Sequence, residues 1–535
     1  MRKCITFSLL ILLTRLIIAQ QVLVKKWDMR FGGEDNEGFL SFQQTTDGGY
    51  LLGGSSRSGI GGDITQPSRG GDDYWIVKID SQGNKEWDKR FGGTGGEGIH
   101  ILRPTSDKGY ILGGTSSSGN NGDKTQLAWG GGDYWIVKID SLGNKEWDKR
   151  FGGLLSDYLY AMVQTNDSGY ILGGTSASGI SGDKTQDNWD TTYFQRDGWV
   201  VKVDAQGDKE WDKRFGGTNY EDITSILQTN DEGYMFGGYS ASDSNGDKTQ
   251  PSWGSGDYWI VKIDSLGNKE WDRRYGGTNG EYFHSLIKTN DKGYVLGGYS
   301  NSGISGDKTK IGSQWILKID TAGNKMWDKG FSGGGGEFNN FSQTSDGGYL
   351  IACRICGLDS GPDKSEANLG PCQAWVVKTD SLCNKQWDKT IFTTGFDGYS
   401  EAVETRDGCY AIAVGTNGGI GGYKTQQNWG GSYDYWIAKF CFEPVGVDDI
   451  TEDTNILVYP NPFISDIAIS LQKENLKEAT FTISNMLGQV VFTKVENNLA
   501  SSYTKMLDLS YLPNGIYLVE VTADGERVLK KVVKE

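Results

Sequence analysis

Along the chain, short apolar runs alternate with Gly-, Asp- and Asn-rich punctuation, and the pattern repeats itself about every 60 residues. Residues 33–93 show one period: a segment near FLSFQQT, then GYLLGGSS, then DYWIVKID, then KEWDKRFGG. The runs are rich in β-branched and aromatic residues and too short for helices, so each reads as a strand. Asp47-Gly48-Gly49 separates the first two and a Gly-containing segment from Asp80 to Asn84 separates the last two. Both are turn sequences that suit tight antiparallel hairpins. Each period is thus predicted to hold four strands, a to d. The near-continuous apolar character of strand c predicts that it is covered on both faces.

A Trp-Asp pair marks strand d at Trp27, Trp87, Trp147, Trp211, Trp271, Trp327 and Trp387, with spacings of 60, 60, 64, 60, 56 and 60. A second Trp marks strand c in step, from Trp75 to Trp436, so the repeat count is seven. Four antiparallel strands repeated radially define a seven-bladed β-propeller, in which each blade buries its faces against its neighbours. A parallel β-helix is the rival, but its coils are shorter and lack two hairpin turns per unit. The chain starts with a d strand (Val24 to Phe31) and its last repeat stops after a c strand (Tyr435 to Phe440). The N-terminal strand is therefore predicted to complete the last blade, which removes the open sheet edge of an unclosed ring.

Past Phe440 the periodicity ends, an acidic linker follows, and a composition richer in Ile, Val, Leu and Lys takes over. From the residues alone, the alternating apolar runs and a Pro-Asn-Gly turn make this a small β domain. Its motifs are VYPNPF at 458–463, FTISNMLGQVV at 481–491, LDLSYLPNGIYLVEV at 507–521 and a basic end, LKKVVKE. Together they resemble the type A C-terminal sorting domain of the type IX secretion system. The resemblance implies a small C-terminal β-sandwich, recognition by the type IX machinery, and a destination at the cell surface or outside the cell. The repeats, with their GGYhhhG and WhhKhD patterns, resemble secreted β-propellers of Bacteroidetes-type bacteria. That part of the resemblance implies a fold and no activity.

Residues 1–19 open with Arg2 and Lys3, continue through an apolar stretch and end at Ala19, the layout of a cleaved secretory signal. The expected organisation is a signal peptide at 1–19, a propeller at 20–442, a linker at 443–456 and a sorting domain at 457–535. No other run is long enough to span a bilayer, so no transmembrane segment is expected after signal cleavage. The net charge of −16, with no local cluster of Lys and Arg, makes nucleic acid a poor partner. No nucleophile elbow, phosphate-cradling loop or zinc-type Cys/His pattern occurs, so hydrolase and nucleotide chemistry find no anchor.

Ten residues after each Trp-Asp tryptophan stands a carboxylate: Glu37, Glu97, Asp157, Glu221, Glu281, Glu337 and Asp397. As a ring at the channel mouth these would suit calcium, a hard cation that takes oxygen ligands. The competing expectation is that each satisfies backbone N–H groups of its own Gly-rich loop. Trp129, Trp189, Trp253 and Trp429 share one position in the long b–c loops, where their faces would either stack on sugar rings or cover the blade edge. Asp243, Asn245 and Asp247 have the alternate spacing of a calcium loop, but Lys248 replaces the Gly that should follow. His100 and His284 occupy equivalent points early in strand a and belong to no metal-ligand spacing. The leading expectation is an exported, non-catalytic binding or scaffold propeller with a glycan or surface protein as ligand. The alternatives are a carbohydrate-active enzyme using channel-mouth carboxylates and a purely structural surface protein.

Six cysteines lie in the last two repeats, and an exported chain permits disulfides. Repeats six and seven align at an offset of 61 through Tyr349/Tyr410 and Trp375/Trp436, and at that offset the pairs Cys356/Cys372 and Cys409/Cys441 fall on one strand register. Cross-strand disulfides Cys356–Cys372 and Cys409–Cys441 are predicted, with Cys353 and Cys383 left without a clear partner.

Overall fold

The computed structural model describes residues 21–190, 195–357, 361–430, 433–444, 456–472, 477–485, 489–497, 499–523 and 526–535. The expected signal peptide and most of the expected linker lie outside them. The chain divides into one compact unit at Lys25–Phe440 and a second that holds Cys441–Glu535. The first consists of seven four-stranded antiparallel sheets. Six are contiguous, with strands in the order a-b-c-d: blades 1 to 6 span 37–91, 97–151, 157–215, 225–275, 281–331 and 335–391. Blade 7 takes strands a to c from Asp397–Glu404, Tyr410–Thr416 and Asp434–Pro444, and its d strand is Gln21–Phe31 from the start of the chain. The fold is a seven-bladed β-propeller closed by the N-terminal strand.

Packing between blades follows from the repeat. Leu51, Tyr74 and Ile76 of blade 1 share a core with Ile99, Leu102, Leu112 and Trp135 of blade 2. The Tyr74 hydroxyl donates to the Trp135 carbonyl (3.2 Å), Tyr134 to that of Trp199 (3.0 Å), and Tyr435 crosses the closure to that of Trp75 (3.2 Å). The second Gly of strand b is required by this proximity: a Cβ on Gly54 would lie 1.9 Å from the Gly38 carbonyl and 2.5 Å from the Tyr435 hydroxyl.

Within each blade the periodic Trp and Asp residues meet. The Asp of Trp-Asp, on strand d, is buried, and the strand-c indole N–H donates to it: Trp75 to Asp88 (3.2 Å), Trp135 to Asp148 (3.0 Å) and so on round to Trp436 with Asp28 (3.0 Å). A b–c loop N–H adds a further bond, as from Thr125 to Asp148 (3.0 Å), and a Lys three residues upstream adds an ion pair, as Lys145 to Asp148 (2.8 Å). Burial raises the carboxyl pKa of Asp148, but the Lys, loop and indole donors outweigh it and hold the group below its ordinary value.

Cys356 and Cys372 stand opposite each other in strands b and c of blade 6 and form a disulfide, with Cα atoms 4.0 Å apart. Cys409 and Cys441 are both disulfide-bonded as well. Cys353 and Cys383 are free and buried.

In the second unit one sheet is formed by Ile456–Tyr459, Asp466–Gln472 and Ser502–Asp508, and another by Glu478–Asn485, Val490–Asn497, Gly515–Ala523 and Glu526–Lys534. Ile467, Ile469, Phe481, Ile483, Leu507, Val519 and Val521 fill the core of this β-sandwich. The VYPNPF segment is tied to the last strand by Asn461, whose amide donates to the Lys531 carbonyl (2.8 Å) and accepts from the Val533 N–H (2.8 Å). The basic end is held by Lys534, which donates to the Leu509 and Ser510 carbonyls.

Two predictions follow from the closure and the node. Deleting residues 22–33 strips blade 7 of its outer strand and of Asp28, and a clear fall in the melting temperature of the secreted chain is expected. Asp148→Ala orphans a buried indole N–H, a loop N–H and a Lys, and denaturant unfolding should show a loss of about 3 kcal/mol.

Candidate functional site

The d–a carboxylates start from the first residue of strand a, and six of the seven are fully buried there: Glu37, Glu97, Asp157, Glu221, Glu281 and Asp397. Each is saturated by its own loop. Glu37 accepts from Gly33 N–H (2.9 Å), Ser56 (2.9 Å) and Ser58 (2.6 Å), and Glu221 accepts from Gly217 N–H (2.8 Å) and Ser240 (2.7 Å). Asp397 does the same with Thr393 (2.6 Å). The expected solvent-open calcium ring is not what this geometry offers, and no cluster of three or more His, Cys, Asp or Glu among the described residues is placed to hold a metal ion.

Glu337 departs from the ring. In the other repeats 23 residues separate the Trp-Asp tryptophan from the first Tyr of strand b, as from Trp27 to Tyr50, whereas Trp327 and Tyr349 are 22 apart. The missing residue lies in the d–a loop, so Glu337 pairs with Arg354 where the register of Glu37 with Ser56 would require Gly336 opposite Ile355. A one-residue slip turns a strand side chain to the other face. Glu337 is exposed and ion-paired to Arg354 at 2.6 Å.

A second set of acids, not singled out from the sequence, sits at the first residue of strand c: Asp73, Asp133, Asp197, Asp257 and Asp434, all fully buried. Each accepts the N–H of the b–c loop residue four to eight positions before it, as Trp253 to Asp257 (2.7 Å) and Trp189 to Asp197 (2.8 Å). Each also meets the d–a carboxylate of the next blade across a glycine. A Cβ on Gly276 would lie 1.9 Å from Asp257 and 2.8 Å from Glu281, and one on Gly32 would lie 2.1 Å from Asp434 and 3.0 Å from Glu37. Five blade junctions therefore bury two carboxyls side by side. Burial, opposed by the loop N–H and reinforced by the neighbouring acid, raises Asp133 to about 6 and Asp197, Asp257 and Asp434 to about 7.

The four loop tryptophans are roughly half exposed, Trp253 most at 54%. Each lies on the following blade. A Cβ on Gly246 would fall 2.7 Å from the Trp189 ring, and Gly62, Gly182 and Gly306 are covered in the same way by Trp429, Trp129 and Trp253. An Arg from the same blade's d strand lies over each indole: Arg150 on Trp129, Arg214 on Trp189, Arg274 on Trp253 and Arg30 on Trp429, at 4.3–5.1 Å. Arg30, Arg150 and Arg214 also ion-pair with the next blade's loop Asp: Asp63 (3.2 Å), Asp183 (2.5 Å) and Asp247 (3.1 Å). Asp247 also takes the Gly216 N–H (3.1 Å), while Asn245 caps Thr218 (2.8 Å), so two members of the calcium-like spacing serve as loop caps. The Trp–Arg–Asp group is a staple between blades that leaves part of each indole free.

Strand a carries a β-bulge, and His100, Tyr160, His284 and Asn339 are its extra residues in their blades. All four line a polar cavity of about 290 Å³ together with Arg103, Tyr399 and Glu401. Glu401 accepts the Phe42 N–H (2.7 Å), and burial raises it to about 7 against the nearby Arg103 charge. Burial lowers both imidazoles to about 4, so they are neutral at physiological pH.

The architecture defines an exported β-propeller with a C-terminal export signal. Residues 457–535 match the family described as a secretion system C-terminal sorting domain. That tail assigns the chain to the type IX route, with the cell surface or the extracellular space as its destination. Among solved structures the chain is similar to the WD40 domain of Neurospora crassa Pan2 (10% identity, TM-score 0.41, covering 81% of this chain and 98% of that one). It is also similar to a protein of unknown function from Dyadobacter fermentans (9%, 0.43, 79% and 99%) and to a member of the DUF4221 family from Bacteroides vulgatus (11%, 0.35, 80% and 99%). A comparison with curated proteins found no match. No helix among the described residues is long and apolar enough to cross a membrane.

The junction acids set a pH dependence. Asp133, Asp197, Asp257 and Asp434 titrate near 6 to 7 when folded and near 4 when unfolded, so their contribution is full below about pH 4 and is lost as pH rises through 6 to 7. Asp47, Asp107, Asp291 and Asp346 are lowered to about 2 by Thr and Lys donors that outweigh any burial, and they lose their contribution only as pH falls below about 4. The expected melting temperature is highest between about pH 4 and 6 and falls by pH 8. Asp257→Asn should flatten that fall in a pH series of thermal melts.

Proposed function

We propose that the exported propeller is a non-catalytic recognition module that binds glycan through the face carrying its b–c and d–a loops. The observation that supports this is the asymmetry of the two faces. Among the described residues, thirteen of the seventeen exposed large hydrophobics of the propeller lie on those loops or at the adjoining start of strand a, including Trp129, Trp189, Trp253, Trp429 and Tyr282. Exposed side chains of this size cost solvation unless a partner covers them, and half-free indole and phenol rings offer flat faces for the C–H surface of sugars. The carboxyls with raised pKa at the blade junctions are buried and already bonded, which leaves hydrolysis without an accessible acid–base pair.

The purified chain should bind on a glycan array and release no reducing ends from the polysaccharides it binds. Reducing-end release that disappears in Glu221→Gln, or a folded chain that binds no glycan, would overturn the proposal.

A further inference from the structure

Seven near-identical repeats provide their own control, and the junction between blades 5 and 6 departs from it at every element described above. The b–c loop of blade 5 is four residues shorter than that of blade 4 and carries no tryptophan, which is why Trp271 and Trp327 are only 56 apart. The stapling Arg is replaced by Gly330, the junction Gly by Ser332, the strand-c Asp by Gln314 and the strand-a acid by Gly336, with Glu337 turned outward. A pocket of about 410 Å³ opens there, lined by Tyr299, Ser300, Ser302, Ser313 and Ser332 among others, with no Asp, Glu, Lys or Arg in its wall.

Gln314 is fully buried between pocket-lining Ser313 and the strand that ends at Phe331, and it pairs in register with Tyr299. It holds the position from which Asp257 approaches Gly276, and Ser332, the counterpart of Gly276, is in the pocket wall. Both ends of its amide, Nε2 and Oε1, lack a partner. An orphaned buried amide costs about 1–3 kcal/mol per group, so an occupant is expected. The next junction shows the contrast: Gln373, at the same position in blade 6, accepts the Leu369 N–H (2.8 Å) and donates to the Thr393 carbonyl (2.5 Å). There a Phe392–Tyr423 stack (5.6 Å) and a Lys389–Glu366 ion pair (3.0 Å) replace the Trp–Arg staple. Blade 6 thus repairs its departures, and blade 5 does not.

We infer that the blade 5/6 pocket is a binding site for one residue of a neutral glycan, with the Gln314 amide as its polar anchor. The inference rests on the glycan reading above and assigns that reading a place. An amide that presents one donor and one acceptor matches a pair of adjacent sugar hydroxyls, and the surrounding serines supply further hydroxyl partners. An uncharged wall selects against uronic or sulfated sugars, whose charge would have to be desolvated without a counter-charge. The pocket is of small-molecule size. Tyr299 stands in its wall opposite Tyr282 in strand register, and Tyr282 is exposed and stacked on Tyr239 (5.6 Å, 12° between planes), which extends an aromatic platform for the following sugar.

The test uses the full chain and four soluble probes: hexasaccharides of β-1,4-glucan, β-1,3-glucan, β-1,4-xylan and α-1,4-glucan. Titration calorimetry should find binding of at least one to the unaltered protein, and that probe should raise its melting temperature. Gln314→Leu removes the orphaned amide, so the ligand-free melting temperature should hold or rise while affinity drops at least tenfold. Ser332→Leu, which narrows the pocket from the loop side, should weaken binding as strongly and decides the matter if Gln314→Leu fails to fold. Trp253→Ala, at the stapled 4/5 junction, should stay within twofold. If a probe binds and both pocket variants keep the original affinity, the pocket inference is overturned and the glycan reading survives. If no probe binds and the glycan array is also blank, both fall.

Discussion

A carboxylate taken out of water must be given donors in place of its hydration, and the Trp-Asp aspartate of every blade receives them from three directions. For Asp148 these are the indole of the neighbouring strand, the N–H of the b–c loop and a Lys on its own strand. The bond between strands c and d fixes the outer edge of the blade, and the loop N–H fixes the start of the long b–c loop. Because that loop starts from a fixed point, its Asp, Trp and Lys reach the next blade in the same place each time. Remove the aspartate and the blade loses its outer strand and the loop its anchor together. In blade 7 the same node joins the two ends of the propeller sequence, Asp28 with Trp436 and Thr425, so ring closure uses the interaction that builds each blade.

The junction acids have the opposite character. Two buried carboxyls beside an Arg and a Lys are costly, and the raised pKa values of Asp197, Asp257 and Asp434 record the cost. What such a pair provides is a set of acceptors for loop N–H groups that would otherwise be orphaned at a tight turn between blades. A proton shared at each junction is compatible with that role, since a protonated carboxyl still accepts. Interfaces built this way are specific about what sits opposite them. A glycine must stand between the acids, and the Arg must lie under the indole.

Blade number, strand order, closure by the first strand and the Cys356–Cys372 register were all legible in the sequence, because each depends on spacing alone, and repeats make spacing easy to read. The candidate site was less legible, for reasons that can be named. Counting ten residues from each tryptophan gave Glu337 as a ring member, but one deletion in a glycine-rich loop moved it to the other face, and a count cannot see on which side of the residue a deletion falls. Bulges brought His100, Tyr160 and His284 into one cavity, and a bulge leaves no mark on alternation when both flanking residues are apolar. The tryptophans were visible as a set, yet their partners were not, because the glycine that receives each indole lies 53 to 57 residues downstream for Trp129, Trp189 and Trp253 and at the other end of the chain for Trp429. The strand-c acids were on the page in every Asp-Tyr-Trp triplet and passed for strand polarity.

Near-identical repeats also change what a substitution means. In an ordinary domain Gln314 would be one buried amide among many. Here five other blades place an acid at that position and use it, blade 6 places a Gln and satisfies it, and blade 5 places a Gln and leaves it open. Loss of a tryptophan, an arginine, a glycine and two acids at a single junction cannot be compensated piecemeal, because each of those groups exists to hold another: the acid holds the loop N–H, the loop holds the indole, and the indole holds the guanidinium. Once the loop is four residues shorter, the indole and its N–H are both gone, and nothing remains for the acid or the guanidinium to serve. The open junction is therefore one linked change in the ring and not five independent ones, and it is the place where the repeat has stopped bonding to itself.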